Sequence, residues 1–192
     1  GLDIINTGTD GGTAAEDLAF GGEGIDTLTG GLSGSVLYGD SVGGTNVEVD
    51  WADYSSVTGN GVIIDLSQTV AYDAVDNNLD GNYNTVVNID DNTQVDYITQ
   101  IENLIGTNQV DTLGGNGGDN TIYAGDGDDT FLLSAGDDTL YGEDGSDWLD
   151  LTNRSVDINL QSGNFQSIEN IIDSTSSTGQ RDFWGTNGDN IF

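Results

Sequence analysis

The stretch AGDGDDTFLLSAGDDTLYGEDGSDWLDL, residues 124–151, sets the reading of the chain. Aspartate returns every nine positions, at Asp129, Asp138 and Asp147, and two residues after each stands one apolar side chain, Phe131, Leu140 and Leu149. The period extends on the N-terminal side. Residues 106–150 divide without a gap into five nonapeptides, GTNQVDTLG, GNGGDNTIY, AGDGDDTFL, LSAGDDTLY and GEDGSDWLD. Position six is Asp111, Asn120, Asp129, Asp138 and Asp147, and position eight is Leu113, Ile122, Phe131, Leu140 and Leu149. Position four is Gln109, then Gly118, Gly127, Gly136 and Gly145, and Gly125 stands at position two of the third copy. An isolated copy, GGEGIDTLT at 21–29, carries Asp26, and GGLSGSVLY at 30–38 follows in frame with Ser35 where the acid belongs.

A nine-residue period is neither a helix nor an ordinary hairpin. One apolar residue per period, flanked by outward residues, predicts a strand of about three residues. The glycine-rich remainder is a turn, because glycine accepts positive φ and lets backbones approach closely. Two strands and two turns make a coil of 18 residues, so Asp111, Asp129 and Asp147 line one edge of the stack and Asn120 and Asp138 the other. The expected fold is all-β, a parallel solenoid.

The charge supplies the second clue. The 192 residues include 34 acids and 2 bases, for a net charge of −32, and the bases are Arg154 and Arg181. Low hydrophobicity with large net charge normally means disorder. Here the acids are evenly spaced and separated by apolar runs, so the charge has a partner, and a bound cation is the economical one. Stacked turns offer oxygen ligands only, which suits Ca²⁺ with its ~6–8 oxygens at ~2.3–2.6 Å. Nucleic acid is excluded, since binding it requires basic residues against phosphate. No apolar run approaches the ~18 residues of a membrane span. Zinc lacks its nitrogen and sulfur ligands, and no His, Cys or Lys is present to activate a serine. Glu102 and Glu169 could suggest a glycosidase pair, but both sit in an Ile-Glu-Asn motif of a repeat and read as braces at coil corners. The chain reads as no enzyme.

The pattern G-G-x-G-x-D-x-U-x resembles the RTX, or hemolysin-type, calcium-binding repeat. The resemblance covers 21–38, 106–150 and about 177–192. It implies a right-handed parallel β-roll with several Ca²⁺ ions between stacked turns. The ions would be held by Asp26, Asp111, Asp129, Asp138 and Asp147, by the weaker Asn120, and by main-chain carbonyls of Gly118, Gly125, Gly127, Gly136 and Gly145. It also implies export by a bacterial type I secretion system, folding outside the cell, and a place in the medium or on the cell surface as a monomeric module of a large RTX protein such as an adhesin.

A longer repeat interleaves with the short one. WADYS matches WLDLT, GVIIDLS matches SVDINLQ, and QIENLIG matches SIENIID. Segments of this kind are similar to those between short repeats in large RTX proteins, and they are expected to continue the solenoid as longer coils. Leu66 to Ile101 spans 35 positions and Leu160 to Ile168 spans 8, so the first copy carries about 27 extra residues near 68–95, read as a surface loop. Within it, Asp76, Asn78 and Asp80 before Gly81 match the start of an EF-hand-like calcium loop. The expected layout is RTX-type coils over 1–42, longer coils over 43–105, five nonapeptides over 106–150 and a second longer coil over 151–192, all one continuous solenoid domain. The chain begins without methionine and reads as part of something longer. A structural module that folds on calcium is the leading function. The alternative is a module that binds carbohydrate, a protein or a cell surface through the insertion or the outer face, where Tyr123 and Tyr141 should stack. Trp51, Trp148 and Trp184 read as core or cap plugs.

Overall fold

A computed structural model describes residues 3–6, 18–32, 34–40, 48–72, 81–89, 95–152, 158–159, 164–172 and 183–184. Every regular element among them is a β-strand, and most have three residues. No described helix is long and apolar enough to cross a membrane. One sheet runs, in spatial order, Ile4–Asn6, Thr27–Thr29, Trp51–Asp53, Asn103–Ile105, Thr121–Tyr123, Thr139–Tyr141 and Phe165–Gln166. Its strands are all parallel. The second sheet takes the alternate strands: Thr112–Gly114, Thr130–Leu132, Trp148–Asp150 and Asn170–Ile172 pair in parallel register, 18 residues apart within the nonapeptide block. The chain is therefore a parallel β-solenoid.

Position eight explains why the coils close. Leu28, Leu104, Ile122 and Leu140 from the first sheet and Leu113, Phe131 and Leu149 from the second are all buried in one core cluster. Each such side chain contributes about 2 kcal/mol by leaving water. Positions seven and nine face outward: Thr112, Thr121, Thr130 and Thr139 are half-buried. Tyr123 and Tyr141 stack as expected, with ring centroids 4.4 Å apart and planes 8° from parallel. Trp51 and Trp148 depart from the plug reading. They occupy outward position seven, paired with Thr27 and Thr130, and are only half-buried.

The two longer coils behave alike where the described residues allow comparison. Trp51 returns to lie beside Asn103, and Trp148 beside Asn170. The insertion is not simply a loop. Gly81–Asn88 is a strand of the second sheet, antiparallel to Val62–Asp65 on one side and to Val95–Thr99 on the other. Val70–Tyr72 also pairs with it. This reversal has a topological reason. Parallel neighbours need a long crossover, whereas antiparallel ones need only a hairpin. One reversed strand lets 62–65 and 95–99 run in the same direction within a single sheet. Val86 joins the main core, while Tyr83 packs with Val36 and Tyr38 in a second cluster. The hydroxyls of Tyr38 and Tyr83 are hydrogen-bonded. Asp76, Asn78 and Asp80 lie outside the described residues.

Candidate metal centre

The position-six acids form two ladders along the edges of the stack. On one edge Asp111 Oδ1 accepts the N–H of Val62 at 2.7 Å, Asp129 Oδ1 that of Asp111 at 2.7 Å, and Asp147 Oδ1 that of Asp129 at 2.9 Å. Glu169 Oε2 then accepts the N–H of Asp147 at 3.0 Å. On the other edge Asp26 Oδ1 accepts from Asp3 at 2.7 Å, Asp50 Oδ1 from Asp26 at 2.8 Å, Glu102 Oε2 from Asp50 at 2.9 Å, and Asp138 Oδ1 from Asn120 at 3.1 Å. Glu102 and Glu169 thus brace backbone amides at coil corners. Asp26, which sequence alone left facing an acid-free frame at Ser35, stacks on Asp50 instead.

Each acid has one oxygen in the ladder, and the fate of the other divides them. The second oxygens of Asp26, Asp50, Asp129 and Asp147 are buried without a hydrogen-bond partner. Those of Asp111 and Asp138 are occupied: Thr107 N–H donates to Asp111 Oδ2 at 2.6 Å, and Ser134 Oγ to Asp138 Oδ2 at 2.6 Å. Asn116 N–H donates to Asn120 Oδ1 at 2.9 Å. The backbone at position two separates them, since Gly22, Gly125 and Glu143 have positive φ and Thr107, Asn116 and Ser134 do not. Thr107 and Asn116 turn their main-chain N–H, and Ser134 its hydroxyl, on the position-six side chain four residues later, whereas Gly22, Gly125 and Glu143 leave that oxygen without a partner.

A buried carboxylate oxygen without a donor costs free energy unless it is protonated or meets a cation. Burial, the largest cause, lifts Asp129 from 3.8 to about 8; the Asp111 amide opposes this, and the charges of Asp111 and Asp147 add to it. Burial likewise lifts Asp147 to about 6 and Asp50 to about 6. Asp111 is raised by burial too, against the amides of Thr107 and Val62.

The turn carbonyls stack beneath the glycines. A Cβ on Gly127 would lie 2.6 Å from the Gln109 carbonyl oxygen, and Gly127 has φ +140°. On Gly136, at φ +104°, a Cβ would come closer still, 2.2 Å from the Gly118 carbonyl oxygen. The same relation links Gly125 to Thr107 and Gly145 to Gly127. Among the described residues, no three acidic side chains gather as a ready-made metal cluster. A cation here must therefore draw on carbonyl oxygens as well as carboxylates, and an oxygen-only donor set of that kind fits Ca²⁺.

One corner is closed differently, by a residue that the sequence reading missed. Asp96 is fully buried, and its carboxylate accepts N–H bonds from Gly31, Leu32, Gly34 and Ser35 at 2.9–3.2 Å, plus the hydroxyl of Tyr54 at 3.2 Å. Val36 pairs with Tyr97, so Asp96 stands one coil beyond Ser35 and serves as its acid. The signal was available: QVDYI at 94–98 has the same Gln-Val-Asp-x-apolar order as QVDTL at 109–113. The turn amides and the Tyr54 hydroxyl point at Asp96 and satisfy both of its oxygens, as a cation would satisfy a carboxylate elsewhere.

The family model of the RTX calcium-binding nonapeptide repeat matches the chain in four copies, over 11–41, 105–140 and 133–152. These stretches are RTX repeats. Such repeats bind Ca²⁺ in a β-roll, serve as structural calcium-binding modules, and in several copies hold several ions. No curated protein matches the chain.

Proposed function

We propose that the chain is a calcium-dependent structural module, one continuous solenoid, that folds on binding Ca²⁺ after export from a bacterial cell. RTX proteins in general leave by type I secretion, and that route accounts for a chain that stays unfolded where calcium is scarce and orders where it is abundant. In this reading the module is monomeric, performs no catalysis, and displays neighbouring domains of a larger protein such as an adhesin in the medium or at the cell surface.

The observation that carries the reading is the pair of partnerless buried oxygens on Asp129 and Asp147, stacked on one edge of a chain with net charge −32. The proposed ligands are Asp26, Asp129 and Asp147 with the carbonyls of the turns around Gly118, Gly125, Gly127, Gly136 and Gly145. Asp111, Asn120 and Asp138 would each exchange a local hydrogen bond for the ion. Asp76, Asn78 and Asp80 offer a further set in the insertion. Because the ligands come together only in the folded coil, ion binding free energy becomes folding free energy.

A calcium titration followed by tryptophan fluorescence tests this. The expected midpoint is about 10⁻⁴–10⁻³ M, the range of extracellular calcium modules, with Mg²⁺ a poor substitute because it demands a tighter octahedral shell. An unchanged spectrum up to about 10⁻² M, well above that range, would contradict it.

A further inference from the structure

We propose that Asp50, together with Asp40 and the Gln100 carbonyl, forms a divalent-cation site of the hard, oxygen-ligated class at a corner that has no nonapeptide. The inference rests on the calcium-module reading above and extends it to a turn outside the repeat pattern. The corner brings together Gly39, Asp40, Glu48 and Asp50, and the repeat match ends at residue 41.

The argument is an equivalence between two corners. Asp50 Oδ1 accepts the N–H of Asp26 at 2.8 Å, as Asp147 Oδ1 accepts that of Asp129 at 2.9 Å. The N–H of Asp50 goes to Glu102 Oε2 at 2.9 Å, and that of Asp147 to Glu169 Oε2 at 3.0 Å. Asn103 N–H donates to the Asp50 carbonyl at 3.0 Å, and Asn170 N–H to the Asp147 carbonyl at 2.9 Å. Gln100 and Ser167, each two residues before the bracing glutamate, share a left-handed backbone, at φ 55° and 53°. Their carbonyls press on Gly39 and Gly142, the same two glycines that Asp50 Oδ2 and Asp147 Oδ2 overlie. Asp147 belongs to a matched calcium-binding repeat. Asp50 reproduces its surroundings without belonging to one.

The Asp50 corner adds acids. Asp40 follows Gly39 as Glu143 follows Gly142, but Asp40 is buried, with 4% exposure, and its Oδ2 has no partner. Asp26 presents a further partnerless buried oxygen on the same edge. Glu48 lies within side-chain hydrogen-bond reach of Asp40. Two carboxyl groups that close repel when ionised, and a divalent cation between them relieves this while completing its shell with carbonyl oxygen.

The test counts ions on the full 192-residue chain by native mass spectrometry in calcium. The comparison is between the unaltered chain, Asp50→Asn, and the double variant Asp40→Asn with Glu48→Gln. Asp50→Asn keeps an Oδ1 for the Asp26 amide and removes the charge. The expected result is one ion fewer in both variants. If Asp50→Asn fails to fold, the double variant decides. An unchanged ion count in the folded double variant overturns the site while leaving the calcium module intact. No bound calcium on the unaltered chain would sink the module reading itself, and with it this site.

Discussion

Asp129 Oδ1 accepts the main-chain N–H of Asp111 at 2.7 Å across one full coil of 18 residues. The same carboxylate has its other oxygen buried without a hydrogen-bond partner. One side chain thus straps two coils together with one oxygen and keeps the other for the cation proposed above.

Replacing that side chain should cost on both counts. Asp129→Ala leaves the buried Asp111 amide without an acceptor, a loss of about 1–3 kcal/mol before any ion is considered. It should also weaken calcium-induced folding. Asp126→Ala, at an exposed position of the same turn, should stay within ~0.5 kcal/mol of the parent chain. Denaturant unfolding in saturating calcium compares the two. Equal midpoints would show that the ladder has no energetic role.

The pH dependence has a definite sign. Burial raises Asp129 from 3.8 to about 8 in the folded chain. Without metal, the protonated form is favoured on folding. This contribution is fully present below the unfolded value of 3.8 and is lost as pH rises through about 8. Asp50 and Asp147, each at about 6, lose theirs over a lower window. Calcium binds the ionised form, so binding should expel protons and tighten as pH rises toward about 8. Calorimetric titration in buffers of different ionisation enthalpy measures the proton release. A calcium affinity flat between pH 6 and 8 would refute the assignment of these acids as ligands.

Asp96 should matter more than any single repeat aspartate whether or not calcium is present. Asp96→Ala strands four turn amides and the Tyr54 hydroxyl. Leaving such buried donors unpaired costs several kcal/mol in total, since each one is worth about 1–3 kcal/mol. The variant should therefore lose stability even in saturating calcium, where repeat-site variants can be partly rescued by more ion. Full rescue of Asp96→Ala by calcium would mean that ions at the other corners hold the coils together and that this carboxylate has no separate role.

Shortening 68–95 to the connection found between Leu160 and Ile168 should abolish folding. The deletion removes Gly81–Asn88, and with it the strand that pairs both 62–65 and 95–99. Those two strands point the same way, and a linker of a few residues cannot join parallel neighbours. A shortened chain that still gains β-structure with calcium would show that the reversed strand is dispensable after all.

Much of this was legible from periodicity. The nonapeptide block announced its three-residue strands, its buried position eight and the stacking of Asp111, Asp129 and Asp147, because each is a local consequence of a nine-residue period. The long coil hid more. Gly81–Asn88 is rich in asparagine, so its alternation was masked by residues that favour turns. Val36–Asp40 pairs with Val95–Thr99 across most of the insertion, and no local pattern encodes so distant a partner. Asp96 carried the Asp-x-apolar signature but lacked a glycine-rich turn of its own, since the amides it accepts belong to Gly31, Leu32, Gly34 and Ser35. The different fates of Asp129 and Asp138 turn on one residue, Gly125 against Ser134, whose effect emerges only once the turn is built.

The most direct test of the account is circular dichroism of the whole chain in excess chelator and in millimolar calcium. Thirty-four acids against two bases, with buried carboxylate oxygens left partnerless, predict a largely disordered spectrum without the ion and a β-rich one with it. If the chelated chain already gave the β-rich spectrum and melted at the same temperature as the calcium form, calcium would not be what closes these coils.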